Sequence, residues 1–129
     1  MTIKELAKDV HKNAKAHGWW DGEERSFGEL IALCHSELSE ALEEYRNSKG
    51  PAEAYYECVS GKDIQDKCTG DCCPACSGAK PCGIPSELAD VVIRIFDMAE
   101  HYGIDIEAAI LEKHEFNKSR PYRHGGKKI

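Results

Sequence analysis

Apolar residues return every three or four positions in four separate segments of this chain, and each segment ends at a glycine or proline. That pattern limits the available folds more than any other feature. Ile3, Leu6, Ala7, Val10 and Ala14 form the first stripe, opened by the capping-box pair Thr2 and Glu5 and closed by Gly18 near His17. After the aromatic loop GWWDGEER, Ser26 caps a second segment from Phe27 to about Asn47. Its apolar face is Phe27, Leu30, Ile31, Cys34, Leu38, Ala41, Leu42 and Tyr45, and Gly50-Pro51 breaks it. Ser86 is the expected cap of a third, which presents Leu88, Val91, Val92, Ile95, Ala99 and Tyr102 before Gly103. The fourth runs from Asp105 to about Lys118 and stops short of Pro121. No segment reads as a convincing strand and no solenoid repeat is present. The expected fold class is all-α, a four-helix bundle forming one domain over all 129 residues.

Residues 50 to 85 stand outside this scheme. They hold six of the seven cysteines and four of the five prolines without any sustained period, which predicts a cysteine-rich loop insertion between the second and third helices. Cys73 and Cys76 form a CxxC half-site for a metal, and Cys68 and Cys82, or Cys58, are available to complete it. Zn²⁺ is the expected ion. An iron-sulfur cluster uses the same ligands, and reduced cysteines without metal are the plain alternative. Cys34, on the apolar face of the second segment, reads as a buried small hydrophobe.

The second segment also carries charge where a helix pays for it. Glu37, Glu40 and Glu44 line up along HSELSEALEEYR beside its apolar stripe, and like charges at that spacing cost about 0.2 to 0.5 kcal/mol per pair. The third segment repeats the pattern with Glu87 and Asp90, three residues apart and again beside the apolar face. Packed antiparallel through those faces, the two segments would bring four carboxylates to one edge of their seam. Such a cluster calls for cations, and hard divalent ions with oxygen ligands supply them. The bland alternative is two ordinary solvated helix faces, in a chain of which 31% of residues are charged.

ELIALCHSELSEALEEYR followed by GIPSELADVVIRIFDMAEHYGIDIEAAILEKHEFNKSRPYRHGGKKI resembles the MazG-like members of the all-α nucleoside triphosphate pyrophosphohydrolases. Their signature is ExxE followed by ExxD, here Glu37 with Glu40 and Glu87 with Asp90, and the resemblance leaves out the cysteine-rich stretch. It implies a MazG-like four-helix bundle and hydrolysis of a (deoxy)nucleoside triphosphate between its α and β phosphates, giving a monophosphate and pyrophosphate. It further implies Mg²⁺, with Mn²⁺ as a substitute, held by Glu37, Glu40, Glu87 and Asp90. Glu37 or Glu40 would take the proton of the attacking water. The resemblance also assigns nucleotide binding to Lys113 and Asn117 of KxxxN. Arg120 continues their face, and Arg123, His124, Lys127 and Lys128 read as a solvated basic end.

Trp19 and Trp20 lie at a helix junction, where one is expected in the core and the other, Trp20, is a candidate to cover a base. Arg94 reads as a structural partner of Asp90 or Asp97. Ile93 falls off the apolar stripe of its helix and predicts a second buried face, hence a homo-oligomer, a dimer or tetramer.

Charge narrows the function classes further. With 17 Lys and Arg against 23 Asp and Glu, a net charge of -6 argues against a nucleic acid polymer as partner. Short apolar runs and a charged helical N-terminus predict neither a membrane span nor a signal peptide, so the expected location is cytoplasmic. The alternative to an enzyme is a helical scaffold whose zinc-binding insertion recruits a partner.

Overall fold

The computed structural model describes residues 1–58 and 79–128, and the chain is mostly helical. Its elements are α1 (Ile3–Ala16), α2 (Phe27–Arg46), β1 (Tyr55–Cys58), β2 (Ala79–Cys82), α3 (Ile84–His101), α4 (Ile106–Lys118) and the short α5 (Arg123–Gly126). They fall into two compact units, Met1–Glu24 with Ile95–Ile129 and Arg25–Arg94, and the boundary lies within α3.

In the first unit, the Thr2 hydroxyl accepts from the Glu5 backbone N–H and the Glu5 carboxylate accepts from that of Thr2, so the expected capping box starts α1. Asp105 caps α4 by accepting from the backbone N–H of Ala108 at 3.0 Å. α1 meets α4 at its N-terminal end, where the Lys4 N–H donates to Glu107 at 2.9 Å. Ala7, Phe96, Met98 and Ala99 are buried.

The second unit opens on another capping box, Ser26 with Glu29, at the start of α2. Leu30, Ala41, Cys82 and Ile84 are its buried apolar residues. The rest of the stripe is less covered than its periodicity predicts. Phe27, Leu38, Leu42 and Tyr45 on α2 and Leu88, Val92 and Ile93 on α3 remain exposed, from 44% for Ile93 to 62% for Tyr45.

Two expectations are corrected here. Residues 50 to 85 are not wholly a loop, because β1 and β2 pair antiparallel with Tyr55 opposite Cys82 and Glu57 opposite Lys80. Two tyrosines favour an extended backbone, and Pro81, which has no N–H to donate, is tolerated in a two-stranded ladder whose strands are both edges. α3 also begins earlier than the Ser86 signal implies. Pro85 occupies its first turn, where a missing N–H costs nothing, and the Ser86 hydroxyl donates to the Pro81 carbonyl at 3.0 Å instead of capping. Gly83 makes this junction possible. Its φ is +101°, and a Cβ there would lie 2.5 Å from the Glu53 carbonyl oxygen, so only glycine lets that backbone come so close.

Candidate functional site

Within the second unit, α2 and the first turns of α3 bring their acids together. Glu37, Glu87 and Asp90 each offer a carboxylate oxygen within 4.8 Å of the others, and Glu87 shares a side-chain hydrogen bond with Glu40. All four acids expected from the paired motifs therefore converge. Helical spacing explains it: residues three apart share a face, so each helix contributes both of its acids to one edge.

The four are unlike in surroundings. Glu37 is buried and Asp90 is open to solvent, with Glu87 between them. Burial pushes the Glu87 carboxyl up to about 7, helped by its hydrogen bond with Glu40 and by the charges of Glu40, Asp90 and Glu37. Asp90, exposed on one side, is raised as well, first by the partial loss of water around its carboxyl and then by the Glu37 charge, with Arg94 opposing. The cluster is thus short of positive charge.

Arg94 supplies part of the compensation. Its Nε donates to Glu37 Oε1 at 2.5 Å, an ion pair across the helices, and its charge also acts on Asp90. The reason is geometric: Glu37 is a buried carboxylate that needs a donor, and the long arginine stem reaches it from a partly solvated position. Cys34 lies near the pair and is half-buried. Its thiol is raised by burial, against the lowering influence of Arg94. Glu44 is engaged separately, accepting from the Tyr55 hydroxyl at 2.6 Å, a bond that pushes the tyrosine up.

The donor set fits a hard divalent ion. Carboxylate oxygens form the cluster among the described residues, and neutralising them removes the repulsion that helps to raise Glu87 and Asp90. The expected zinc ligands Cys68, Cys73 and Cys76 lie outside the described residues. Cys82 is buried, and its thiol, raised by burial, donates to the Lys80 carbonyl at 3.5 Å.

The expected phosphate-binding residues belong to the other unit. Lys113 and Asn117 lie one turn apart on α4, exposed along a cleft with Phe116, Ile110 and Ile106. The Lys113 ammonium sits 5.0 Å from the centre of the Phe116 ring, and the Arg120 guanidinium 5.9 Å from it. Arg120 also enters a separate cleft formed by the C-terminal residues.

Trp20 is engaged inside its own unit. Its indole N–H donates to Asp97 Oδ1 at 2.9 Å, and its ring stacks on His101 at 3.9 Å between centroids and 6° between planes. One face and the only polar atom are therefore taken, which makes Trp20 a packed residue and leaves the base-covering role without that face. The same Asp97 oxygen meets His11 Nδ1 at 2.6 Å, and His101 Nε2 lies 3.0 Å from Glu24 Oε1. This chain of His11, Asp97, Trp20, His101 and Glu24 was not anticipated. A faint signal exists in the sequence, since Asp97 interrupts the apolar run IRIFDMA and His11 lies at the i+4 position from Ala7.

Comparisons with protein-family models, with curated proteins and with solved structures return no match for this chain.

Proposed function

We propose that the chain is a MazG-like nucleoside triphosphate pyrophosphohydrolase that cleaves a (deoxy)nucleoside triphosphate to its monophosphate and pyrophosphate. The observation carrying this reading is the convergence of Glu37, Glu40, Glu87 and Asp90 from two helices, together with the raised Glu87 carboxyl. Carboxylates gathered at such a cost to one another are unusual as mere surface charge, and they suit a site whose cation arrives with its substrate.

Bound there, Mg²⁺ would neutralise the cluster, polarise phosphate oxygens and acidify a water. The chain's own residues would do the rest. Arg94 holds Glu37 by one oxygen, which fixes its orientation. Glu40 pairs with no cation among the described residues and is exposed, so it is the better placed acceptor for the proton of the attacking water. Glu87 and Asp90, one turn apart on a rigid helix, would keep the opposite side of the site in register. Lys113, Asn117 and Arg120 would supply N–H donors to the phosphates, on the resemblance described above. The active form in this reading is a homo-oligomer, a dimer or tetramer, which covers the exposed leucines of α2 and α3.

The test is a panel of nucleoside triphosphates with Mg²⁺, scored for pyrophosphate and, separately, for orthophosphate. Pyrophosphate release that depends on the metal and on Glu40 supports the reading. Orthophosphate as the first product, or no turnover of any common or modified nucleotide, removes it.

A further inference from the structure

We infer that Lys80, on β2, is a substrate-binding residue of the carboxylate site, a cation that the stem of the cysteine-rich stretch lends to the phosphates. This rests on the hydrolase reading above and adds to it a residue that neither the paired acid motifs nor KxxxN contains.

The ladder register places Lys80. Tyr55 faces Cys82 and Glu57 faces Lys80, and residues two apart on a strand share a side, so these four side chains lie on one face of the hairpin. That face is turned towards α2: the Tyr55 hydroxyl donates at 2.6 Å to Glu44, on the same stripe as Glu37 and Glu40, and Cys82 is buried. Lys80 sits one pair further out on the same face and is exposed. Its strand is tied to the helix that follows. The Pro81 carbonyl accepts from the Ser86 hydroxyl at 3.0 Å in the first turn of α3, and Gly83 lies against the Glu53 carbonyl. Glu87 and Asp90 follow on that helix, within the same compact unit.

The charge of Lys80 is uncommitted. Arg46 pairs with Glu43, Lys49 with Glu53 and Arg94 with Glu37, whereas Lys80 enters no ion pair among the described residues. Glu57, opposite it in the ladder, instead shares a hydrogen bond with the Cys82 thiol. The Lys80 charge nevertheless reaches the cluster: loss of water and the Glu37 charge push the Asp90 carboxyl up, and the charges of Arg94 and Lys80 oppose them.

This placement suits a phosphate better than an acid. A cation built to neutralise the carboxylates would touch one of them, as Arg94 does. Lys80 stands off the cluster, exposed, with its ammonium on a long flexible stem. A polyphosphate bound at the acids brings negative charge to the rim of the site, where that ammonium supplies a charge-assisted hydrogen bond. Lys113, Asn117 and Arg120 belong to the other unit, whereas Lys80 and the four acids share one.

The probe is inorganic tripolyphosphate, titrated calorimetrically into the full chain at saturating Mg²⁺, with Mg²⁺ alone titrated in parallel. Wild type should bind tripolyphosphate, K80Q should bind it about tenfold more weakly, and K80R should recover most of the loss. Mg²⁺ alone should bind K80Q as tightly as wild type or more tightly, because a repelling charge has gone, and this separates a phosphate contact from a lysine that merely steadies the acids. Tripolyphosphate affinity in K80Q within about twofold of wild type overturns the proposal, as does a parallel loss of Mg²⁺ affinity. Pyrophosphate release from the nucleotide panel is scored on the same wild-type sample. Release together with unchanged affinity in K80Q sinks the role of Lys80 alone; no release and no tripolyphosphate binding removes the hydrolase reading and that role together.

Discussion

Arg94 on α3 donates its Nε to Oε1 of Glu37 on α2 at 2.5 Å, and the glutamate it holds is 7% exposed. This ion pair joins two helices at the edge where the acids gather, and removing one partner is not symmetrical with removing both. Arg94→Met strands a buried carboxylate and should cost about 2 to 3 kcal/mol, at the low side because the arginine is partly solvated. The double variant R94M/E37M should recover much of that loss. Urea unfolding at pH 7 measures both, and a double variant no more stable than R94M would show that the pair is not what holds this edge.

Glu40→Gln and Asp90→Asn each remove one charge from the cluster at nearly constant volume. Both should abolish pyrophosphate release at saturating Mg²⁺ while the far-ultraviolet circular dichroism stays helical. Without metal, each variant should be as stable as wild type or more so, because repulsion is relieved. Wild-type turnover in either variant takes that residue out of the site.

Glu87 gives the metal-free protein a pH signature. Its carboxyl titrates near 7 in the folded chain against 4.5 ordinarily, so between those values the folded state holds more protons than the unfolded one. Stability of the metal-free chain should therefore fall as pH rises from about 4.5 to 7, and Glu87→Gln should flatten that fall. Added Mg²⁺ should stabilise more at pH 8 than at pH 5, where protons already neutralise the cluster. Melting temperatures across this range with and without Mg²⁺ decide it, and a Mg²⁺ effect independent of pH would count against metal binding at Glu87.

Trp20 separates a packing role from a stacking one. Trp20→Phe keeps a ring against His101 but withdraws the N–H from the buried Asp97, and should cost about 1 to 2 kcal/mol. The KM for nucleotide should stay within about twofold. A large rise in KM with an unchanged melting temperature would instead return Trp20 to the nucleotide.

Leu38, Leu42 and Tyr45 of α2 and Leu88, Val92 and Ile93 of α3 are large apolar side chains left exposed. The chain should be a dimer or tetramer at micromolar concentration by light scattering, and Leu42→Glu should shift it towards smaller species. A monomeric wild type would leave these residues without the cover the proposal gives them.

Each of the four periodic segments is a helix in the structure, and the reason is local. Thr2 with Glu5 and Ser26 with Glu29 are capping boxes whose bonds close within three residues, so no distant partner is needed to realise them. The pairing of Glu37 with Glu40 and of Glu87 with Asp90 was legible for the same reason, since helical spacing alone puts each pair on one face. What lay beyond one helix was not legible. Arg94 has nearer carboxylates in sequence, yet it pairs with Glu37 on the other helix, and the equally buried Asp97 takes its partners from His11 and Trp20. Ser86 looked like a cap, but the approach of the Glu53 backbone to Gly83 moved the start of α3 to Ile84. The ladder of β1 and β2 joins residues more than twenty positions apart, where neither strand carries a pattern of its own. His11, Asp97 and Trp20 come from separate segments and share one buried oxygen. Periodicity and caps act over a few residues and are written in the chain; desolvation acts on whatever the folded chain brings together, and so it was decided only in three dimensions.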